Sequence, residues 1–405
     1  MSADPPKSAD PPKSAGAPRR VLMIEQGGRG GVGDYTAELV RGLVDEGWTV
    51  TLATADDHLF APMPGVRVCP VFHYVRDSTR IGRALRSRGL GRIANGLCFL
   101  VSLPRLMRLV RGVDIVHSQG WETPYIGLLA IVCLRLAGAT LIETAHGTFE
   151  RATRFLRLRR IVRWLTARLT AGTIVHTEAD LARLSSDVRE HAVVIPHGEY
   201  GGLARSGGSA ARDASRAELG IPAHAPVTLV FGQLRSDKGL GEMVQALARL
   251  PALHLLIGGH DLGGLSAVAA QLQSPELAGR VTVREGFLDM REAAQLFAAT
   301  DTVVLPYPVA SQSGVLLLAY GFHRPVIVYP VGGLPEAVID GETGWICARP
   351  DVDALVDALA ASIDAGPAEC LRRGDAGARL ADERFAWPTI ARRTSELYLQ
   401  VLARV

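Results

Sequence analysis

Short apolar runs alternate with amphipathic helical patterns twice along this chain, and this alternation constrains its fold more than any other feature. The first series starts at residues 21–24 and the second at residues 227–231. Other runs of buried-strand type lie at 49–53, 114–118, 140–144, 173–176, 193–195, 254–257, 281–284, 302–305 and 326–329. Strands that alternate with helices form parallel sheets covered by helices on both faces. The sequence therefore predicts an α/β protein of two Rossmann-like, doubly wound domains that face each other across a cleft.

The boundaries between these parts follow from changes in composition. Residues 1–19 contain the hexapeptide SADPPK twice and lack large apolar side chains, which predicts a disordered, proline-rich tail. We expect a first domain over 20–200, a Gly/Ser/Ala/Arg-rich linker over 201–215 and a second domain over 216–385. Residues 386–405 are predicted to form a helix that crosses back to the first domain.

Composition excludes several classes of protein. The 44 basic and 41 acidic residues nearly balance, which does not favour nucleic-acid binding. The five cysteines have no short pair spacing, so neither a zinc site nor a disulfide framework is predicted, and a reducing cytoplasm is the expected location. Apolar stretches at 97–103 and 125–136 are interrupted by Pro104 and Arg135 and are too short to span a membrane. They are predicted to be buried helices.

A glycine-rich turn follows the first predicted strand. Residues 28–33 read GRGGVG, so Gly30, Gly31 and Gly33 lie where a strand gives way to a helix. Backbone N–H groups at such a turn bind anions, and Asp56 lies about where a ribose-binding acid is expected. The pattern alone fits an NAD(P)-dependent oxidoreductase, but tight glycine turns bind many phosphate and sugar ligands.

Two loops of the second domain carry the features of a diphosphate site. After the strand at 227–231 come Gly232, Arg235 and Lys238, and two cations at this spacing suit a ligand that spreads negative charge over several oxygens. After the strand at 302–305 come Gln312, Ser313 and Gly314 at the expected start of a helix, where backbone amides receive phosphate or sugar oxygens. Glu336 follows a further glycine-rich turn, GGLPE.

Histidines end two strands of the first domain. His146 precedes a glycine in the segment AHG, and His197 lies in the segment IPHG. Parallel strands bring their carboxyl ends to one edge of the sheet, so both lie at the predicted cleft. His146 is the stronger catalytic candidate, and His117 is a weaker one.

Taken together, the segments GGVG, AHG, IPHG, GQLRSDKG, SGVLLLAY and VGGLPEAVIDGETG resemble the retaining nucleotide-sugar glycosyltransferases of the GT-B fold, in the bacterial class called family 4 or group 1. The resemblance implies that the second domain binds a nucleoside-diphosphate sugar. Arg235 and Lys238 would hold the departing diphosphate, and His146 would contact the transferred sugar. It also implies retention without an enzymic nucleophile and no metal cofactor. The segment Asp-Val-Asp at 351–353 is read as a helix cap.

The chain departs from the family pattern at one point. Two glutamates eight residues apart are common in the family, and Ser311 and Ala319 stand at the corresponding positions. Gln312 or Glu336 is our hypothesis for a substitute. Three alternatives stay open: an NAD(P)-dependent oxidoreductase, a sugar-nucleotide epimerase or phosphorylase on the same fold, and a degenerate protein that binds without catalysis.

The acceptor is not encoded in these motifs. The segment from Arg151 to Arg168 is basic and amphipathic, which fits either a solvated helix face or a helix on an anionic membrane. The expected partners are a nucleotide-sugar donor and a glycan, lipid-linked or small-molecule acceptor, with peripheral association at the inner membrane face as one possibility.

Overall fold

A computed structural model describes residues 19–75, 79–121, 124–146, 156–208 and 210–404, without the side chains of residues 81, 86, 92, 124, 156–160, 163 and 203. The predicted tail therefore lies outside the described residues except for Arg19. Residues 151–155 of the basic segment from Arg151 to Arg168 lie outside them as well.

The first domain is built on a seven-stranded parallel sheet. Its strands are β1 (Arg20–Ile24), β2 (Thr49–Ala55), β3 (Val66–Phe72), β4 (Ile115–Ser118), β5 (Leu141–Thr144), β6 (Gly172–Val175) and β7 (Ala192–Val194). Their spatial order is β3-β2-β1-β4-β5-β6-β7. In the register of the central strand, Val21 pairs with Val50 on one side and with Ile115 on the other. The chain reverses its direction of winding between β1 and β4, and in such sheets ligands bind beyond the carboxyl ends at that point.

Helices cover both faces of this sheet. They are α1 (Gly30–Asp45), α2 (Arg80–Ser87), α3 (Gly91–Leu109), α4 (Pro124–Leu136), α5 (Leu156–Leu169), α6 (Glu178–Ala182) and α7 (Ser186–Arg189). One core holds Leu39 of α1 with Val21 of β1, and the core on the other face holds Leu106 of α3 with Leu22. Neighbouring residues of one strand thus point into opposite cores, as strand geometry requires.

The second domain repeats this architecture with six parallel strands. The remaining elements are α8 (Gly201–Ser206), α9 (Arg212–Leu219), β8 (Val227–Phe231), α10 (Leu240–Arg249), β9 (His254–Gly259), α11 (Gly264–Leu272), β10 (Val281–Glu285), α12 (Met290–Ala299), β11 (Thr302–Leu305), α13 (Gly314–Gly321), β12 (Val326–Val328), β13 (Gly344–Ile346), α14 (Val352–Arg384) and α15 (Trp387–Leu402). The strand order is β10-β9-β8-β11-β12-β13. The predicted fold of two doubly wound domains is confirmed.

The last helix lies on the first domain. Trp387, Ile390 and Tyr398 of α15 belong to the same core as α1, and Trp48 Nε1 donates to Ser395 Oγ at 2.8 Å. A Cβ on Gly42 of α1 would lie 2.5 Å from Ala391 Cβ, so the missing side chain lets the two helices approach closely. The first strand and the last helix of the described chain therefore both belong to the first domain.

Two local expectations are wrong. The segment 201–215, read as a linker, contains α8 and the start of α9, and Ala204 is buried in the second core. The apolar stretches at 97–103 and 125–136 are helical as predicted, but only one side of each is buried, and Leu97 and Leu136 are among their exposed residues. Strand β3, at the edge of the sheet, and the three-residue strand β13 are absent from the sequence-based expectation.

Candidate functional site

The two candidate phosphate loops of the second domain pack against each other at the carboxyl ends of β8 and β11. A Cβ on Gly232 would lie 3.2 Å from Val315 Cγ2, in the first turn of α13. Gly239 has a φ of +68°, and a Cβ there would lie 1.8 Å from the carbonyl oxygen of Pro306. These glycines let the backbone of one loop touch the other, so the cations and the start of α13 belong to one surface.

The two basic side chains of this surface are held by neighbours within it. Lys238 Nζ lies 3.7 Å from the ring centre of buried Tyr307. The Tyr307 hydroxyl is hydrogen-bonded to Ser313, and burial raises its pKa to about 12, so the phenol stays neutral. Arg235 Nε donates to Asp237 at 2.9 Å. A cation–π contact orients the lysine, and an ion pair orients the arginine.

Helix α13 begins at this surface. Ser313 is its N-cap residue in extended conformation, and no side chain among the described residues caps the helix there. The first turn of a helix carries N–H groups without intrahelical partners and a partial positive charge. Gly314 and its neighbours therefore offer backbone donors to an anion between α13 and the loop of Arg235.

The glycine-rich turn of the first domain binds a carboxylate of the protein itself, where a dinucleotide site would bind a pyrophosphate. The buried carboxylate of Glu25 accepts hydrogen bonds from the backbone N–H groups of Gly27 and Gly28. Negative charge inside the turn opposes a pyrophosphate there, and Asp56 is paired with His73 at 2.7 Å. Both observations argue against the NAD(P) alternative. The start of α1 at Gly30 lies beyond this occupied turn.

Tyr200 connects the glycine loops of the two domains. A Cβ on Gly31 would lie 4.0 Å from the Tyr200 hydroxyl, and a Cβ on Gly314 would lie 3.0 Å from Tyr200 Cε2. The ring is buried and also contacts His197, whose Nε2 lies 3.4 Å from the hydroxyl. The starts of α1 and α13 therefore approach the same aromatic side chain from opposite sides of the cleft. Tyr200 is not among the site residues predicted from the sequence.

Histidines at the ends of β5, β6 and β7 form a cluster around Tyr35. His146 Nε2 lies 2.8 Å from the side-chain amide of Gln119, and His146 Nδ1 lies 3.2 Å from His176 Nε2. His176 Nδ1 lies 3.0 Å from the carbonyl oxygen of Ile195, which only accepts, so His176 carries its proton on Nδ1. His146 therefore has an acceptor at each ring nitrogen, Gln119 Oε1 and His176 Nε2, and its neutral ring donates to one of them.

The cluster is uncharged at neutral pH. Burial lowers the pKa of His197 to about 3 and lowers that of His176, despite the opposing effect of Asp180. Loss of water contact, reinforced by the neighbouring histidines, places the pKa of His146 well below its usual value. His117 lies deeper, bonded to Thr144 and Tyr398, which is a structural position.

Direct contacts close the two domains on each other beside this cluster. Glu336 of the second domain accepts from the backbone N–H groups of Glu178 and Ala179, both at 2.9 Å. Ser311 donates to the buried carboxylate of Asp180. A cavity of about 240 Å³ lies between the domains, bounded by His176, His197, Gln312, Ser313 and Glu336. Gln312 Oε1 is buried without a hydrogen-bond partner among the described residues.

The predicted site residues thus lie on two facing edges. The loops with Gly232, Arg235, Lys238, Ser313 and Gly314 form the edge of the second domain. The start of α1, with Gly30, Gly31 and Gly33, lies with His146 at the edge of the first. Glu336 contacts the first domain, and Gly147 lies outside the described residues. Asp351 caps α14 by accepting from Ala354 N at 2.9 Å, which confirms the predicted cap.

Two facing Rossmann-like domains with glycine-rich loops at both edges of the cleft form the GT-B fold, which several classes of sugar-nucleotide enzyme share. Residues 225–365 match the family model for glycosyl transferases group 1, and residues 29–198 match that for glycosyltransferase family 4. The chain belongs to this family of glycosyltransferases.

Relatives of known activity and known structure agree with this assignment. D-inositol 3-phosphate glycosyltransferase of Corynebacterium efficiens is 30% identical over 306 residues, which are 70% of each chain. Among solved structures, sucrose-phosphate synthase from Thermosynechococcus elongatus superposes with a TM-score of 0.73 at 23% identity, over 96% of this chain and 100% of the other. HepE of Anabaena, solved with UDP-glucose, gives a TM-score of 0.69 at 18% identity, over 93% and 98%. Within the described residues no helix is long and apolar enough to cross a bilayer.

Proposed function

We propose that this protein transfers a sugar from a nucleoside-diphosphate sugar to an acceptor hydroxyl, with retention of the anomeric configuration. The observation that carries the proposal is the contact between the two loops of the second domain, Gly232 with Val315 and Gly239 with Pro306, which supports a common diphosphate site for Arg235, Lys238 and the start of α13. A diphosphate leaving group develops negative charge as the glycosidic bond breaks. Fixed cations and helix N–H groups stabilise that charge in the transition state more than in the ground state.

The first domain supplies the acceptor side of the proposed reaction. His146 is neutral, and its Nε2 lies against Gln119 Oε1, a contact that a hydroxyl of the transferred sugar near the reacting carbon would replace. Retention requires the acceptor to attack from the face that the diphosphate leaves, and a phosphate oxygen then takes the proton of the acceptor hydroxyl. We propose that this proceeds without an enzymic nucleophile and without a metal ion.

The comparisons support a nucleotide-sugar donor and leave its base as part of the proposal. Solved neighbours carry UDP or UDP-glucose in one case and ADP in another. The matched relatives include an inositol phosphate glycosyltransferase and a glycogen synthase, whose acceptors differ. We propose a glycan, a lipid-linked molecule or a small polyol as the acceptor, at the cytoplasmic face of a membrane if it is lipid-linked.

Thermal unfolding against a panel of nucleoside diphosphates, nucleotide sugars and NAD(P) tests the donor site. A ligand at 100 times its Kd stabilises the folded state by about 2.7 kcal/mol. We expect one nucleoside diphosphate to raise Tm in the wild type and not in the variant Arg235→Ala/Lys238→Ala. The control Arg249→Ala removes an exposed arginine of the same domain, paired with Asp353, and should respond like the wild type.

The outcome separates the alternatives. A shift with NAD(P) alone would replace the transferase proposal with the oxidoreductase. A shift with a nucleotide sugar, followed by NMR showing an isomerised sugar and no transfer, would favour an epimerase. No shift with any ligand would leave the degenerate binder. If transfer occurs, the anomeric coupling constant of the first product reports retention or inversion, and unchanged rates after chelation of divalent ions are expected.

A further inference from the structure

Helices α3 and α4 each turn an apolar stripe toward solvent. The stripes have helical spacing and consist of Ile93, Leu97, Leu100 and Val101 on α3 and Tyr125, Leu129, Val132 and Leu136 on α4. Val101 is 76% exposed and Leu136 is 84% exposed. The opposite sides of the same helices are apolar as well and form the core. Surface helices normally present charged or polar residues to water, so two adjacent apolar stripes indicate a binding surface.

The two stripes lie on adjacent helices of the same sheet face. Both helices cover the same face of the seven-stranded sheet, because Phe99 and Leu106 of α3 share a core with Ile131 and Leu134 of α4. The helices touch side by side, since a Cβ on Gly96 would lie 3.3 Å from Ile126 Cδ1. Residues opposite these buried positions therefore point away from the sheet on the same side of the domain.

The charged residues of α2, α3 and α4 are all arginines. Residues 79–113 contain eight arginines and no aspartate or glutamate, and residues 124–142 contain Arg135 and no acid. The arginines of the first segment are Arg80, Arg83, Arg86, Arg88, Arg92, Arg105, Arg108 and Arg111. All those with described side chains are exposed, as is Arg135. Exposed apolar stripes on helices whose charges are all positive are complementary to a surface that is apolar below and anionic above.

We propose that the α3/α4 surface docks on an anionic lipid bilayer, with its apolar stripes at the headgroup–acyl boundary and its arginines on lipid phosphates. Long arginine side chains place their charge at the headgroups while their stems stay in apolar surroundings. Tyr125 adds an aromatic ring of the kind that favours this boundary. A second copy of the chain is a poor occupant, because a symmetric contact would bring like-charged arginines together.

This surface differs from the basic segment singled out in the sequence. On α5, Trp164 Nε1 donates to Asp187 at 2.8 Å, and Arg168 Nε lies 4.0 Å from the same carboxylate. An acid from α7 thus partly compensates the described charge of α5. The bilayer contact is assigned to α3 and α4 and does not depend on the proposed reaction.

Co-sedimentation of the full chain with vesicles tests the docking surface. The probes are vesicles of phosphatidylcholine alone and of phosphatidylcholine with phosphatidylglycerol, at low and high salt. We expect binding to the anionic vesicles that weakens at high salt. The variant Leu97→Glu/Val101→Glu should lower the partition coefficient about tenfold or more, because it places charge in the apolar stripe. The control Phe287→Glu alters a residue of the second domain that is 80% exposed and should bind like the wild type.

The outcomes are decisive in both directions. All three positions are exposed, so equal Tm values are expected and verify that the variants fold. Salt-sensitive binding that is lost only in the stripe variant supports the proposal. It is overturned if the wild type does not bind anionic vesicles at low salt, or if the stripe variant binds equally well. It is also overturned if ultracentrifugation shows a dimer that the stripe variant abolishes while vesicles bind neither protein.

Discussion

The Glu336 carboxylate of the second domain accepts a hydrogen bond from the backbone N–H of Ala179 in the first domain, at 2.9 Å. The neighbouring N–H of Glu178 binds its other oxygen, so the acid caps α6 from across the cleft. Ser311, one of the two positions where the family glutamates are missing, reaches Asp180 of the same helix. Residues near the expected donor pocket thus join the domains in this arrangement.

We expect Glu336→Ala to weaken domain closure. Hydrogen bonds to a charged acceptor contribute about 1.5–3 kcal/mol, and the negative charge also favours the helix start. The closed population and kcat/KM should therefore fall about tenfold or more, and the radius of gyration from X-ray scattering should rise. The control Glu342→Ala removes an exposed glutamate of the same domain and should change neither quantity. Wild-type scattering and kinetics in Glu336→Ala would show that this contact does not control closure.

Gly239 at the end of the donor loop and Gly241 in the first turn of α10 form a matched pair. Alanine at 239 must adopt a φ of +68° and place its Cβ 1.8 Å from the Pro306 carbonyl oxygen, whereas a Cβ at 241 meets nothing within 4 Å. We expect Gly239→Ala to lower the free energy of unfolding by about 2 kcal/mol or more and to abolish nucleotide-induced stabilisation. Gly241→Ala should be neutral or slightly stabilising. Urea denaturation of the two variants gives the comparison, and equal stability would refute the proposed loop contact.

The sheets were predictable because buried parallel strands are nearly continuous apolar runs. Strand β3 was missed since it lies at the edge of the sheet, is half exposed and contains Pro70. The helices at 201–215 were mistaken for a linker for a different reason. Their small and polar residues resemble a linker, but Ala204 needs little volume to pack into the second core. Helix α3 has apolar residues on both sides. The sequence therefore does not indicate which side faces the sheet, because periodicity identifies the buried side of a helix only when the other side is polar.

Site residues in loops that directly follow strands could be predicted from the sequence. Residues that only the tertiary structure brings to the site could not. Arg235, Lys238 and Gly314 were found because each follows a strand of the second domain. Tyr200 lies after the last strand of the first domain, and only the tertiary structure brings it to Gly314 and Gly31. His176 ends a predicted strand, and its position there was the available signal. Its role beside His146 depends on the carbonyl group of Ile195, which is 19 residues away in sequence.

Gln312 is the more suitable substitute for the missing glutamates. Its Oε1 is buried without a hydrogen-bond partner among the described residues and borders the cavity between the domains. A buried unpaired acceptor is costly, and a sugar or ribose hydroxyl would satisfy it. We expect Gln312→Ala to raise the donor KM about tenfold with a smaller change in kcat, and Gln312→Glu to retain much of the affinity. Steady-state kinetics at varied donor concentration measures this, and an unchanged donor KM in Gln312→Ala would end the hypothesis.

Buried neutral histidines predict that stability falls in mild acid. Burial lowers the pKa of His117 to about 3 from 6.5, and that of His197 to a similar value. Between these values the unfolded chain binds protons that the folded chain does not, so the free energy of unfolding is fully present above pH 6.5 and decreases as the pH falls. At pH 5 each histidine should lower it by about 2 kcal/mol. Urea denaturation across this range should show the decrease.

The contribution of a single histidine can be isolated by substitution. Glutamine at 117 does not titrate but retains polar atoms for Thr144 and Tyr398, the partners of His117. Although His117→Gln will itself be less stable, the slope of its unfolding free energy between about pH 4 and 6 should decrease by one proton, or about 1.4 kcal/mol per pH unit. The exposed His191 provides the control, and His191→Gln should keep the wild-type slope. An unchanged slope in His117→Gln would mean that this ring is already protonated in the folded protein, which the contacts with two neutral hydroxyl groups do not favour.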